Sequence, residues 1–180
     1  MRKILGLTLL ALLAIAPGGN AVDMNGKYSL GYFTSDTPVG GRYWIDSKIG
    51  IDLGLGFDIQ DQGDETYTDF HIGTGLNYVV IDTDRANFML RPGVNFSSLD
   101  ARPYGIESES KWTRFRFSVM PVAEVFFGDN FSLSAGHGIQ IETVSYPDEE
   151  EFGDLAGESR TNFKTIDGSI SYLGFHFYFK

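Results

Sequence analysis

The 180-residue chain has no cysteine. That excludes disulfide staples, thiolate metal centres, cysteine nucleophiles and the acylated cysteine of a lipoprotein. Histidine is almost as scarce, with three in the chain, so imidazole chemistry has few places to reside. Basic residues number 14 against 24 acidic ones, for a net charge of -10. Such a chain lacks the positive surface that neutralises nucleic-acid phosphates. After the first 21 residues no apolar run approaches the ~20 residues of a membrane-crossing helix. Glycine is plentiful, at 22 residues, but shows no G-X-Y period, and 42% hydrophobic content is too high for a disordered chain. The composition suits a single folded domain.

The N-terminus has the layout of a secretory signal peptide. Arg2 and Lys3 precede an apolar stretch from Ile4 to Ala16, followed by the small, turn-forming Pro17-Gly18-Gly19-Asn20-Ala21. Cleavage after Ala21 is expected, leaving residues 22–180 as the mature domain. Loss of Arg2 and Lys3 brings the formal charge to -12. An exported chain without a spanning helix is either soluble outside the inner membrane or a membrane-spanning β-barrel.

Period-two alternation dominates the mature chain. Ile49, Ile51, Leu53, Leu55, Phe57 and Ile59 interleave with Gly50, Asp52, Gly54, Gly56, Asp58 and Gln60, a strand with one apolar face and one small, polar face. The same rhythm runs through 70–80, 88–96, 115–127, 131–141 and 173–179, with shorter runs near 27–34 and 39–45. Eight strands and no helix are expected. Short connections at 46–48, 82–86 and 128–130 alternate with mostly longer polar ones at 35–38, 61–67, 100–111 and 146–164. This is the up-and-down asymmetry of an outer-membrane barrel with long external loops. The fold expected is therefore all-β, an eight-stranded antiparallel up-and-down transmembrane β-barrel behind a cleaved signal peptide.

Volume decides which face is inside. Eleven of the 15 Phe share the apolar face, too much bulk for the interior of an eight-stranded barrel, whereas the other face offers glycines among polar and charged residues. Aromatics concentrate toward both strand ends, Tyr28, Tyr43 and Phe179 toward the short turns and Phe57, Phe70 and Phe115 toward the loops, as two interfacial girdles would. Hairpin arithmetic from the short turns places Arg42 opposite Asp52 and Arg116 opposite Glu142, both on the inner face. Opposite charges meeting in two independent hairpins predict a plugged, salt-bridged lumen. Pro92 and Pro121 lack ladder N–H groups and predict bulges or local gaps in their strands.

The C-terminal run Tyr172-Leu173-Gly174-Phe175-His176-Phe177-Tyr178-Phe179 resembles the outer-membrane β-signal, with Tyr172, Gly174, Phe177 and Phe179 in its four places and Lys180 as a departure at the end. Val39 to Ile45, a short turn and Ile49 to Phe57 look like the opening hairpin of the outer membrane protein β-barrel domain family, which is similar to the small outer membrane protein A and X type barrels. The resemblance covers roughly residues 24–180. It implies the Gram-negative outer membrane, recognition by the barrel-assembly machinery, and contact with membrane lipids and lipopolysaccharide. It implies no single activity, because such barrels include anchors, surface-interaction proteins and lipid-modifying enzymes.

Candidate chemistry is sparse. His71 and His176 fall on the inner face, while His137 falls among outward apolar residues, where a polar group calls for a reason. A lipid A deacylase-like enzyme would supply one, but the serine expected two residues after the histidine is Ile139 here; Ser169 or Ser171 on the last strand could approach instead. The loop containing Asp148, Glu149, Glu150, Glu151 and Asp154 is dense in hard oxygen ligands but does not match an EF-hand spacing, and it reads first as a solvated acidic surface. No cofactor is expected. The reading is a monomeric outer-membrane barrel whose loops 61–67, 100–111 and 146–164 meet external partners, with a lipid-modifying enzyme or a periplasmic lipocalin-like barrel as alternatives.

Overall fold

Strict alternation gives every strand two dissimilar faces, and the chain resolves them by curling its sheet into a closed ring. The computed structural model describes residues 23–63, 65–102, 110–148, 150–165 and 171–180; the expected signal peptide lies outside them. Ten strand segments form: β1 Tyr28–Tyr32, β2 Val39–Trp44, β3 Ile49–Gln62, β4 Glu65–Asp82, β5 Ala86–Asp100, β6 Lys111–Phe126, β7 Phe131–His137, β8 Ile139–Ser145, β9 Ser159–Lys164 and β10 Ser171–Phe179. β7 and β8 are two halves of one stave, both paired with β6, and β9 and β10 belong to the last stave. The eight staves follow chain order around the ring. β5 pairs with β6, and β1 pairs with β10 to close it, every pairing being antiparallel. Among the described residues one helical element occurs, a short 3-10 segment at Glu150–Leu155, and no helix is long and apolar enough to cross a membrane.

The faces sort as bulk requires. All eleven Phe assigned to the outer face stay out of the interior, while Phe33, Phe126 and Phe152 are buried. Gly50, Gly54, Gly56, Gly73, Gly75 and Gly93 face inward. At Gly174 an added Cβ would stand 2.6 Å from the Tyr32 carbonyl oxygen and 3.1 Å from Ser134 Oγ, so the narrow lumen admits no side chain there. Aromatic pairs mark the outer face at both levels: Tyr28 stacks on Phe179 at 5.6 Å near the short turns, and Phe57 meets Phe70 at 5.2 Å near the loops.

Three details depart from the sequence reading. The 61–67 connection is a tight hairpin, because β3 and β4 continue pairing as far as Gln62 and Glu65. Residues 159–164, expected within a long loop, form β9 against β8. The 35–38 connection does not project outward but folds into the lumen with Phe33, where Phe33 and Thr37 are buried. The two prolines interrupt ladders without shifting register. Pairing of β4 with β5 skips Arg91 and Pro92, and pairing along β6 skips Met120 and Pro121 between its β7 and β8 partners. The one register shift in the β4–β5 ladder lies between Val79 and Ile81.

Candidate functional site

The lumen is built in two layers. Toward the short turns it is apolar, with Met24, Trp44, Val79, Met89, Met120 and Phe126 packed together. The sequence reading expected a polar, largely plugged interior and missed this layer. It arises from parity: Val79, Met89, Met120 and Phe126 occupy inward positions of their strands where the barrel begins, so their large apolar side chains fill that end of the lumen.

Above that layer sits a buried ionic network. Arg42 and Asp52 are register partners on β2 and β3, and Arg42 Nε lies 2.6 Å from Asp52 Oδ1. Arg42 Nη1 also donates to Glu124 at 2.8 Å, and Nη2 donates to the Tyr172 hydroxyl at 3.0 Å. Asp52 accepts further bonds from Arg91 Nε at 2.7 Å and Asn77 Nδ2 at 2.8 Å. Glu124 accepts from Ser132 and, at 2.7 Å, from the Tyr178 hydroxyl. Two guanidinium groups thus face two carboxylates, so the cluster is neutral although it is buried. That neutrality is what makes it tolerable inside a low-dielectric lumen. Arg42 is further held between the rings of Phe33 and Trp44, at 5.9 and 5.7 Å from their centroids.

Arg116 and Glu142 are Cα partners across β6 and β8, but they do not form the ion pair expected of them. Arg116 binds Asp36 of the inward-folded connection, and Glu142 takes Lys164 at 2.7 Å with Arg114 Nε at 3.9 Å. A loop expected to point outward supplied the competing carboxylate, so register arithmetic alone could not find it. The four β-signal positions divide by parity. Tyr172 and Gly174 are buried in the lumen, Phe177 and Phe179 stand outside, and the Tyr172 hydroxyl also meets His176 Nε2 at 2.9 Å. His71 is half-buried, with Nδ1 2.8 Å from Ser97 Oγ.

On the outer face a polar cluster gathers around His137 amid apolar neighbours. His137 ends β7, is exposed, and is the register partner of Ser171 on β10. Its Nδ1 lies 3.1 Å from Ser171 Oγ and its Nε2 lies 3.0 Å from the Thr165 carbonyl oxygen. A carbonyl only accepts, so Nε2 carries a proton, and in the neutral ring Nδ1 accepts from the Ser171 hydroxyl. The arrangement is a serine, a base aimed at it and a carbonyl that orients the base. Ser169, the other serine considered, lies outside the described residues.

In the acidic loop Asp148, Glu150 and Asp154 are exposed, while Glu149 and the side chain of Glu151 lie outside the described residues. Among the described residues no group of three or more His, Asp and Glu side chains is gathered as metal ligands. At the outer end of β5, Asp100 accepts from Arg102 Nε at 3.0 Å and Nη2 at 2.8 Å, and these bonds hold its carboxyl below the usual range. Comparison with protein-family models, curated proteins and solved structures finds no match to this chain.

Proposed function

We propose that this protein is an integral outer-membrane β-barrel, exported by its signal peptide, with a plugged lumen and a structural or surface-interaction role. The observation that carries the reading is the inverted distribution of polarity. Leu53, Phe117, Phe175 and Phe177 stand on the outside, 42–53% exposed, while Arg42, Asp52, Glu124 and Arg116 are buried within. A barrel in water would place these groups the other way round, and an apolar band of this extent is a liability anywhere but in lipid. A lipocalin-like carrier would need an apolar cavity, and the centre of this lumen is filled by the ionic network. The partners that follow are outer-membrane lipids, lipopolysaccharide and the barrel-assembly machinery. Segments 61–67, 100–111 and 146–164 would be the outward contact surface of a monomer.

The test compares migration of detergent-solubilised protein on an SDS gel before and after boiling. A heat-dependent shift, with the protein retained in alkali-washed outer membranes, is the expected result. A β-rich protein that stays folded in plain buffer and is recovered in the soluble fraction would refute the reading.

The contact between His137 and Ser171 favours a second reading, a lipid-modifying enzyme whose serine faces the outer leaflet. If it holds, deletion of the gene shifts the mass of the lipid A or phospholipid pool, and chains carrying His137→Ala or Ser171→Ala fail to restore it. An unchanged lipid profile on deletion leaves the pair a structural hydrogen bond at the end of β7.

A further inference from the structure

The tip of the connection between β1 and β2 is tied to the barrel by one side chain. Thr34, Ser35, Asp36 and Thr37 form a tight turn whose polar groups largely satisfy each other. Thr34 N donates to Thr37 O at 3.5 Å, Thr37 N donates to Thr34 Oγ1 at 3.2 Å, and the two threonine hydroxyls meet at 2.8 Å. Among the described residues, the polar links from this turn to the wall run through Asp36 alone, to Arg116 and, at 3.5 Å, to Arg114. Packing supplies the rest of the seat. Thr37 Cβ lies 3.0 Å from where Gly54 would carry a Cβ, and its Cγ2 lies 3.4 Å from the same point at Gly73. Thr34 and Thr37 are buried, while Ser35 at the tip is exposed.

The flanking registers define a second place for the same turn. β1 and β2 pair as far as Gly31 and Gly40, β2 and β3 as far as Val39 and Leu55, and β1 and β10 as far as Tyr32 and Phe175. Continued unchanged, these registers set Thr34 opposite Thr37 in a two-residue hairpin, Thr37 opposite Phe57, and Thr34 opposite Leu173. Both flanking edges are present. β3 runs on to Gln62, β10 starts at Ser171, and among the described residues neither pairs there with another strand on that side. Pro38 has no N–H to give to such a ladder, which keeps the gain small and leaves the lumen as the resting seat.

The charges have a second arrangement too. Arg116 and Glu142 are Cα partners on the inner face, yet Arg116 binds Asp36 and Glu142 takes Lys164 at 2.7 Å. Arg116 Nε is buried without a hydrogen-bond partner. Residues directly opposite in an antiparallel ladder stand ~5 Å apart, so Glu142 is within reach of Arg116 once Asp36 withdraws. Departure of the turn therefore strands no buried guanidinium.

We propose that residues 34–37 are a strap with two seats, one in the lumen latched by Asp36 on Arg116, the other in the wall between β10 and β3, with Arg116 passing to Glu142 as the strap leaves. In the lumen seat the strap fills the outer half of the barrel. In the wall seat Gly54, Gly73 and Arg116 line a vestibule open to the outside. Phe33 points inward by parity in both arrangements and keeps its place beside Arg42, so the ionic network below stays covered. The strap belongs to the barrel itself and does not depend on the membrane reading.

The native chain has no cysteine, so an engineered pair reports one geometry at a time. Thr37→Cys with Phe57→Cys can form a disulfide in the wall seat, where the two are register partners. In the lumen seat it cannot, because residue 37 is buried inside the wall and the side chain at 57 stands outside it. Tyr43→Cys with Ile51→Cys, register partners of the same parity lower on β2 and β3, is the control and should close in every background. Under copper phenanthroline, the 37–57 pair in folded protein should close slowly. Adding Asp36→Asn should speed closure about tenfold, as loss of one charge-assisted hydrogen bond implies, and adding Glu142→Gln instead should slow it by a similar factor. No 37–57 closure in any background, with the control pair closed, overturns the strap. Closure at one rate with and without Asp36 overturns the latch, and a rate indifferent to Glu142→Gln overturns the exchange of partners.

Discussion

Arg42→Ala is the most informative single change, because it removes one guanidinium from a neutral buried cluster and leaves known partners behind. Asp52 would keep Arg91 at 2.7 Å and Asn77 at 2.8 Å, so its charge stays compensated. Glu124 would lose its only cation in the cluster and keep two hydroxyl donors, Ser132 and Tyr178. One orphaned carboxylate sets the penalty near the lower end of the 3–5 kcal/mol range for breaking a buried pair, about 3 kcal/mol. The lost packing of the arginine stem beside Phe33 and Trp44 adds roughly 1 kcal/mol more. A loss of about 4 kcal/mol in unfolding free energy at neutral pH is therefore expected. Combining Arg42→Ala with Glu124→Gln should recover about 2 kcal/mol, because the orphaned charge is gone. The assay is equilibrium urea unfolding in detergent micelles, read by the fluorescence of Trp44, which lies beside the removed group. A single variant within about 1 kcal/mol of the parent, or a double variant no better than the single, would refute the argument that this network holds the lumen together.

Gly56→Ala should expel the inward connection, since an added Cβ collides with the Asp36 carbonyl oxygen and lies 3.2 Å from Pro38 Cδ. A destabilisation of about 1–3 kcal/mol and new chymotryptic cleavage after Phe33 are expected; an uncleaved variant of parental stability would mean that the connection is held elsewhere. Leu53→Arg should weaken folding into bilayers by about 2–4 kcal/mol if the mid-height of β3 faces hydrocarbon, and leave folding almost untouched if it faces water, as refolding yields into vesicles would report. The depressed Asp100 carboxyl should contribute about 0.5 kcal/mol that is fully present above its unfolded pKa near 4 and is lost as pH falls through the lower native value. Arg102→Gln should flatten that part of the stability–pH curve, and an unaltered curve would show that the pair contributes nothing.

The sequence by itself determined the eight staves, their parity and the hand of the inversion, though not β9 or the full length of β3 and β4. Alternation has a period of two, so one correctly placed residue such as Phe57 or Leu133 assigns the whole strand to its faces. Short turns fix register, which is why Arg42 and Asp52 could be set opposite one another from Asp46-Ser47-Lys48 alone, and the structure holds them in that register. The missing N–H groups of Pro92 and Pro121 were likewise legible, as gaps in particular ladders.

Tertiary structure decided whatever depends on a segment without alternation or on residues distant in the chain. Arg116 met Asp36 in place of Glu142 because a six-residue connection turned inward, and nothing local in Thr34-Ser35-Asp36-Thr37 signals that direction. The apolar layer around Trp44 and Phe126 has the same origin, being formed by side chains brought together only when the ring closes. The meeting of His137 with Ser171 needed only the register of β7 against β10, which the long connection before β10 left undetermined in the sequence. Strand pairing is local, whereas the lumen exists only once β1 has found β10.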